Sequence, residues 1–471
     1  MQALAGLLRR PGFGRGPQTL GAELELALVG EDGRPCLVNR EVAEGLGPHF
    51  TLELDRFDLE CNLPFGPLAG RPFRRLRDAL AGALEAATRA AAVHGARVAA
   101  IGILPTLEEG DLQASAMTDV PRYRALSWSI RRLRGDAFRL RIDGAEPLEL
   151  VCDDVTLEGA ATSLQIHLRV EPERFADVFN AVQLATPPVL AASGNSPVLV
   201  GHRLWEETRI ALFKQAVDPR RPEHRTPGHP HREPRVGFGS DWVRDGALEL
   251  FAANVARHEP LLPVLGPEDP LACLASGGVP ELAEMRLHQG TVWSWNRAIY
   301  DPADGGHLRI EMRALPAGPT PWDMAANAAF LVGLALDLAG EAPRWTREVP
   351  FAQVRHGFYR AAQRGLAAEL PWPDDEGGLR LLPAPELLRE LAPRAMRGLV
   401  AAGVDAEEAQ AFVGGVQARV RTGRTAAAWQ RAWLAALEPA QGRRAALAAM
   451  LERYLVLSAE GRPVHDWPLP G

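Results

Sequence analysis

The sequence predicts an α+β fold: an antiparallel sheet followed by a helical C-terminal third. Three observations lead there. Short runs of period-two alternation cluster in the first two-thirds of the chain. The last third is rich in Ala, Leu, Arg and Glu at helical spacing. Strands and helices do not alternate regularly, as a doubly wound parallel sheet requires. The chain has 471 residues, 46% of them hydrophobic, which is enough for a large buried core.

The alternating runs are 21–29, 51–60, 138–151, 162–170, 281–288 and 307–315, each read as a strand. Helices are expected over 73–94 and 173–186. In the first, Phe73, Leu76, Leu80 and Leu84 share a face and Gly95 terminates it. In the second, Phe175, Val178, Phe179 and Val182 share a face, and Pro187–Pro188 breaks it. From Trp322 onward the pattern predicts helices near 323–340, 350–369, 384–402, 405–421, 425–437 and 441–458. Segment 218–235, rich in Pro, Arg and His, reads as a loop and a possible lid. The expected division is a catalytic core over 17–325 and a helical region over 326–471, packed on the core or serving a homo-oligomer.

Net charge is −7, which argues against a general nucleic-acid or anionic-membrane binder. No run of roughly 18 apolar residues suggests a membrane span, and the first residues do not read as a secretory signal. Cys36, Cys61, Cys152 and Cys273 are scattered, so reduced thiols in a cytoplasmic protein are the plain reading. Lys214 is the sole lysine and follows no glycine loop, which excludes a Walker A motif. GFGRG (12–16) and GFGS (237–240) do not open a helix after a strand, so a dinucleotide fingerprint is excluded too.

The chemistry comes from reading strand faces. Residues i and i+2 point the same way. Glu23 and Glu25 oppose Leu24 and Leu26. Glu53 and Asp55 oppose Leu52 and Leu54, with Glu60 at the strand end. Ser163, Gln165, His167 and Arg169 oppose Leu164, Ile166 and Leu168. His307, Arg309, Glu311 and Arg313 oppose Leu308, Ile310 and Met312. One Glu-x-Glu strand alone reads as a solvated face. Four such strands, with arginines among the acids, also fit a polar cavity in which Mg²⁺ or Mn²⁺ offsets carboxylate repulsion. By pattern alone both readings stand. His224, His229 and His231 read as solvated loop or as a metal cluster; Trp293 and Trp295 read as core or as pocket lining.

In this order the segments GAELELAL, LELDRFDLECNLP, PRYRAL, SLQIHLRV, SGNSPVLVGH, WSWNRAIYD and LRIEMRAL resemble the glutamate–cysteine ligase family. The resemblance implies a glutamine-synthetase-like funnel, a curved antiparallel sheet with helices on its outer side and with metal and ATP inside. It implies Glu23, Glu25, Glu53, Glu60, His167 and Glu311 as ligands of two or three metal ions. It also implies Tyr123, Arg124, Gln165, Arg169, Arg209, Arg297 and Arg313 as contacts to substrate or ATP, with Glu60, Arg297 and Arg313 closest to catalysis. Arg169 stands where relatives carry small or amide residues.

The activity implied is ATP-dependent, ADP-forming ligation of a small carboxylate to an amine, giving a gamma-glutamyl-type amide through an acyl phosphate. Two other readings are carried: a guanidino phosphotransferase on the same fold, and a metal- or nucleotide-binding homologue without turnover.

Overall fold

The computed structural model describes residues 1–221, 233–374 and 377–471. Its main sheet is built on β1 (Thr19–Val29), β2 (Phe50–Leu52), β3 (Asp58–Asn62), β4 (Leu164–Val170), β5 (Asn296–Asp301) and β6 (His307–Met312). Their spatial order is β5-β6-β4-β1-β3-β2, every neighbour antiparallel. Two short strands, Gly66–Pro67 and Arg97–Ala99, also pair with β1.

The alternation read in β1 is the alternation of burial. Leu20, Ala22, Leu24 and Leu26 are buried, while Gly21, Glu23 and Glu25 between them are half-buried. The apolar faces of β4 and β6 supply Leu164, Ile166, Leu168, Leu308, Ile310 and Met312 to the same core. Helices Phe175–Ser193 and Pro321–Ala339 belong to this core, and the second also packs on Ala384–Ala401. One apolar core therefore runs from the sheet into the C-terminal helices, and the expected boundary at 325/326 falls inside helix Pro321–Ala339. That helix is apolar enough to cross a membrane by length and composition, but 83% of its apolar window is buried inside the protein.

Several expectations need correction. The run 51–60 is not one strand: β2 ends at Leu52, β3 starts at Asp58, and the chain turns between them. Asp55 consequently leaves the polar face and is fully buried against Gly159, where an added Cβ would lie 2.4 Å from the Asp55 Cγ. The run 138–151 is a separate hairpin, Phe138–Ile142 with Leu148–Cys152.

The run 281–288 contains helix Ala283–Gln289 rather than a strand. Its Ala, Glu, Met, Arg and Leu are helix formers, and no β-branched residue opposes them. Pro187 and Pro188 do not end their helix, which continues to Ser193. Every residue from Val178 to Ser193 is buried, and packing on all sides outweighs the ~3 kcal/mol helix cost of a proline. The helix from Phe351 stops at Arg364, and a hairpin pairs Glu369–Pro373 with Leu379–Pro383. His224, His229 and His231, with most of the expected 218–235 loop, lie outside the described residues.

Candidate active site

Sheet register assembles the site. Across β1 and β3, Glu25 faces Glu60. Across β1 and β4, Glu23 faces Gln165 and Gly21 faces His167. Across β4 and β6, His167 faces Glu311 and Arg169 faces Arg309; across β6 and β5, Glu311 faces Arg297. Eight acidic and basic side chains distant in sequence thereby share one concave face. Gly21 lets this happen: a Cβ there would approach Phe65 Cβ to 3.2 Å and His167 Cβ to 3.8 Å.

Two clusters result. In the first, His167 Nε2 lies 3.0 Å from a Glu23 oxygen and 3.7 Å from a Glu311 oxygen. In the second, Glu25, Glu53 and Glu60 converge. Within each trio, one ligand atom per residue lies within 4.8 Å of the others. The clusters differ in compensation. Arg297 grips Glu311 with two hydrogen bonds, of 2.6 and 2.9 Å, and Arg313 stands 3.3 Å from the same carboxylate. Burial opposes ionisation of Glu311, but Arg297, Arg313 and His167 outweigh it and hold its carboxyl well below the usual range. Burial likewise opposes ionisation of Glu23, and His167 overcomes it.

Among the described residues the second cluster has no such ion pair. Burial first, then Glu60 and Glu25, push Glu53 well above the ordinary range. Burial with Glu23 and Glu25 raises Glu60 to about 7. Burial raises Glu25 despite nearby Arg313. Glu25 is held in place: its oxygens accept from the Ser163 N–H (2.6 Å), the Ser163 hydroxyl (2.9 Å) and Gln165 Nε2 (2.9 Å). Glu60 accepts from Thr51 and Asn62. Half-buried carboxylates crowded against one another, with only partial offset from Arg313, suit a hard divalent cation, and a carboxylate–imidazole trio beside them suits a second. The residues therefore fit the metal that the resemblance implied.

Two chambers meet at Glu23, which lines both. The larger, about 350 Å³, is walled by Glu25, Glu53, Glu60, Tyr123, Gln165, Arg297 and Arg313. The smaller, about 190 Å³, is walled by Glu23, His167, Arg169, His307 and Arg309. Thus Arg169 lies on the far side of the first cluster from Tyr123 and Arg313.

The matching sequence pattern spans residues 19–449, from β1 into the last long helix, and takes in every residue of both clusters. The chain belongs to glutamate–cysteine ligase family 2. A glutamate–cysteine ligase from Francisella tularensis, solved in complex with AMP, is similar over 98% of this chain and 91% of its own, at 12% identity and TM-score 0.56. This likeness shows a shared fold over nearly the whole chain. A bifunctional glutathione synthetase from Pasteurella multocida matches 97% of this chain and 54% of its own, at 12% identity and TM-score 0.48. Among functionally curated proteins, none matches the chain in sequence.

Within this family member, two expected contacts sit elsewhere. Arg124 is 56% exposed and pairs with Asp119 on the surface; it does not line either chamber. PRYRAL opens helix Pro121–Arg134 with Pro121 in its first turn, and the helical turn sends Arg122 and Tyr123 to the chamber instead. Tyr123 is anchored by its hydroxyl donating to the Leu52 carbonyl at 2.7 Å. Arg209 is 2% exposed, pairs with Glu207 at 2.9 Å, and donates to the carbonyls of Arg313 and Ala314. It supports Arg313 from behind rather than facing a ligand.

Sequence reasoning missed Arg122 and Glu158. Glu158 sits on the short helix Thr156–Gly159 and lines the larger chamber; burial and Glu25 raise its pKa to about 7. No strand alternation marks Glu158. Arg122 carried a usable signal, since a proline at position 121 marks a helix start.

Proposed function

We propose that this family member is an ATP-dependent carboxylate–amine ligase that forms a gamma-glutamyl-type amide and releases ADP and phosphate. The observation that carries the reading is the pair of carboxylate clusters on one sheet face, lying between two chambers that share Glu23. The smaller chamber presents Arg169, Arg309 and His307, a set suited to polyphosphate. The larger presents Arg122, Arg313 and Tyr123, suited to the acid and amine. Glu23, His167 and Glu311, with Glu25, Glu53 and Glu60, would hold two Mg²⁺ or Mn²⁺ ions. Bound metal supplies charge neutralisation for phosphate and carboxylate oxygens at their meeting point.

The chain's own residues do the rest. Arg297 and Arg313 are fixed by Glu311, so their charge is oriented before substrate arrives. Gln165 links Glu25 to Arg313, which fixes the second carboxylate cluster against the arginine within the larger chamber. The γ-phosphoryl group passes to the substrate carboxylate, ADP leaves, and the amine nitrogen then displaces phosphate from the acyl phosphate. Positioning and electrostatics carry most of such a reaction. A cytoplasmic setting, rich in ATP and reduced thiols, accords with this activity.

The test is incubation of purified protein with Mg-ATP, L-glutamate and an amino-acid mixture, followed by mass spectrometry. The expected products are ADP, phosphate and a new amide. A phosphorylated product without amide supports the guanidino phosphotransferase instead, and no nucleotide turnover supports a binding protein.

A further inference from the structure

A further cavity, of about 490 Å³, shares no lining residue with the two carboxylate-lined chambers. Its volume falls within the range of roughly 300–1,000 Å³ usual for small-molecule sites. Lys214, Arg257 and Arg355 line it. The Lys214 ammonium rests 4.4 Å from the Tyr359 ring centre, Arg257 donates to the Ser240 hydroxyl, and Arg355 reaches the Gly239 carbonyl. Among the described residues none of the three has a carboxylate partner. Two of the acids in the same wall, Asp241 and Glu249, accept backbone N–H groups. His258, also in this wall, is pushed down to about 3, first by burial and then by Arg235, His288 and Arg257. Phe179 and Phe238 supply an apolar wall.

This cavity shares a partition with the catalytic chamber. Along 290–297, Thr291, Trp293 and Arg297 face the chamber, while Val292, Ser294 and Asn296 face this cavity. A second connection is helix Arg209–Ala216. Arg209 at its start holds the Arg313 carbonyl, and Lys214 near its end lines the cavity.

We propose that this further cavity binds a small organic polyanion, and that its occupancy is felt in the catalytic chamber through the 290–297 partition and the Arg209–Ala216 helix. Three cations without a carboxylate partner among the described residues recognise two or more negative charges, and the aromatic wall accepts a short carbon skeleton. Carboxylate and phosphate sources share this chemistry. The binding half of the proposal is independent of the ligase reading; the coupling half rests on the funnel being the nucleotide site.

Calorimetric titration of the full chain without metal tests the binding, with tricarballylate as the carboxylate probe and glucose 6-phosphate as the phosphate probe. At least one should bind. The double substitution Lys214→Gln/Arg355→Gln should weaken that binding by roughly tenfold or more, while Arg309→Gln in the funnel should leave it unchanged. Absence of binding by both probes overturns the proposal, as does binding that Arg309→Gln abolishes and the double variant does not.

For the coupling, saturating probe should shift the Kd of Mg-ATP by roughly fivefold or more, a shift lost in the double variant. Binding without that shift overturns the coupling and leaves the site. Failure of Mg-ATP to bind at all removes the nucleotide reading and the coupling together, and is visible without any probe.

Discussion

The two carboxylate clusters lie side by side on one sheet, yet they reach charge balance by opposite routes. Glu311 and Glu23 are neutralised from within, by Arg297, Arg313 and His167. Glu25, Glu53 and Glu60 are raised instead: burial raises all three, and neighbouring carboxylates add to it at Glu53 and Glu60. Half of the site is therefore finished by the polypeptide, and half waits for something from solution. Preorganised charge orients the arginines before any ligand binds, whereas uncompensated charge makes affinity for a cation.

Paired substitutions should break the comparison most sharply. Glu311→Gln and Glu60→Gln should each lower ligase turnover by more than ~100-fold, yet move stability in opposite directions. Glu311→Gln strands two buried guanidinium groups and should cost ~3 kcal/mol in chemical denaturation. Glu60→Gln, measured in EDTA at pH 8, should raise stability by something on the order of 1 kcal/mol, because it removes repulsion while keeping a side chain that hydrogen-bonds Thr51 and Asn62. Equal losses of stability in both variants would erase the distinction.

The pH dependence sharpens it further. Glu60 has a folded pKa of about 7 against an ordinary 4.5, so between those values the folded state binds more protons than the unfolded one. Stability of the metal-free protein should then fall as pH rises from 4.5 towards 7. Saturating Mg²⁺ should flatten that slope. Glu311 works the other way: its lowered pKa contributes stability above 4.5 that is lost only as pH falls below it. Denaturant melts with EDTA and with Mg²⁺ check both signs.

A smaller effect separates two neighbouring arginines. Arg122→Ala should lower kcat/KM by roughly tenfold through loss of a charged contact in the larger chamber. Arg124→Ala, on the surface, should leave it within about twofold.

Much of the inner face was legible because β1, β4 and β6 are regular strands, where period two fixes direction. Glu23, Glu25, Gln165, His167, Glu311 and Arg313 all fall where that rule puts them. Legibility failed where the backbone leaves the pleat. Glu53 reaches the chamber from the end of β2, but Asp55 two residues on turns into the interior because the chain has already left the strand. Arg122 and Arg124 exchange places because that segment is a helix, with a different period. Helix Ala283–Gln289 shows the converse: ELAEMRLH alternates well enough to mimic a strand, while Leu282 and Met285 are three apart and both buried. Local pattern cannot reveal tertiary burial, which is also what carries a helix through Pro187 and Pro188.

Glu23 borders both chambers, so on the proposed reading the compartments for nucleotide and acid are separated by little more than one side chain. A compound imitating both reactants at once would have to thread this doorway. Its connecting group could be scarcely bulkier than a phosphoryl unit. Lengthening the linker would trade one compartment's grip for the other's, and enlarging the doorway by shortening Glu23 would admit water to the most hydrolysable species the enzyme makes.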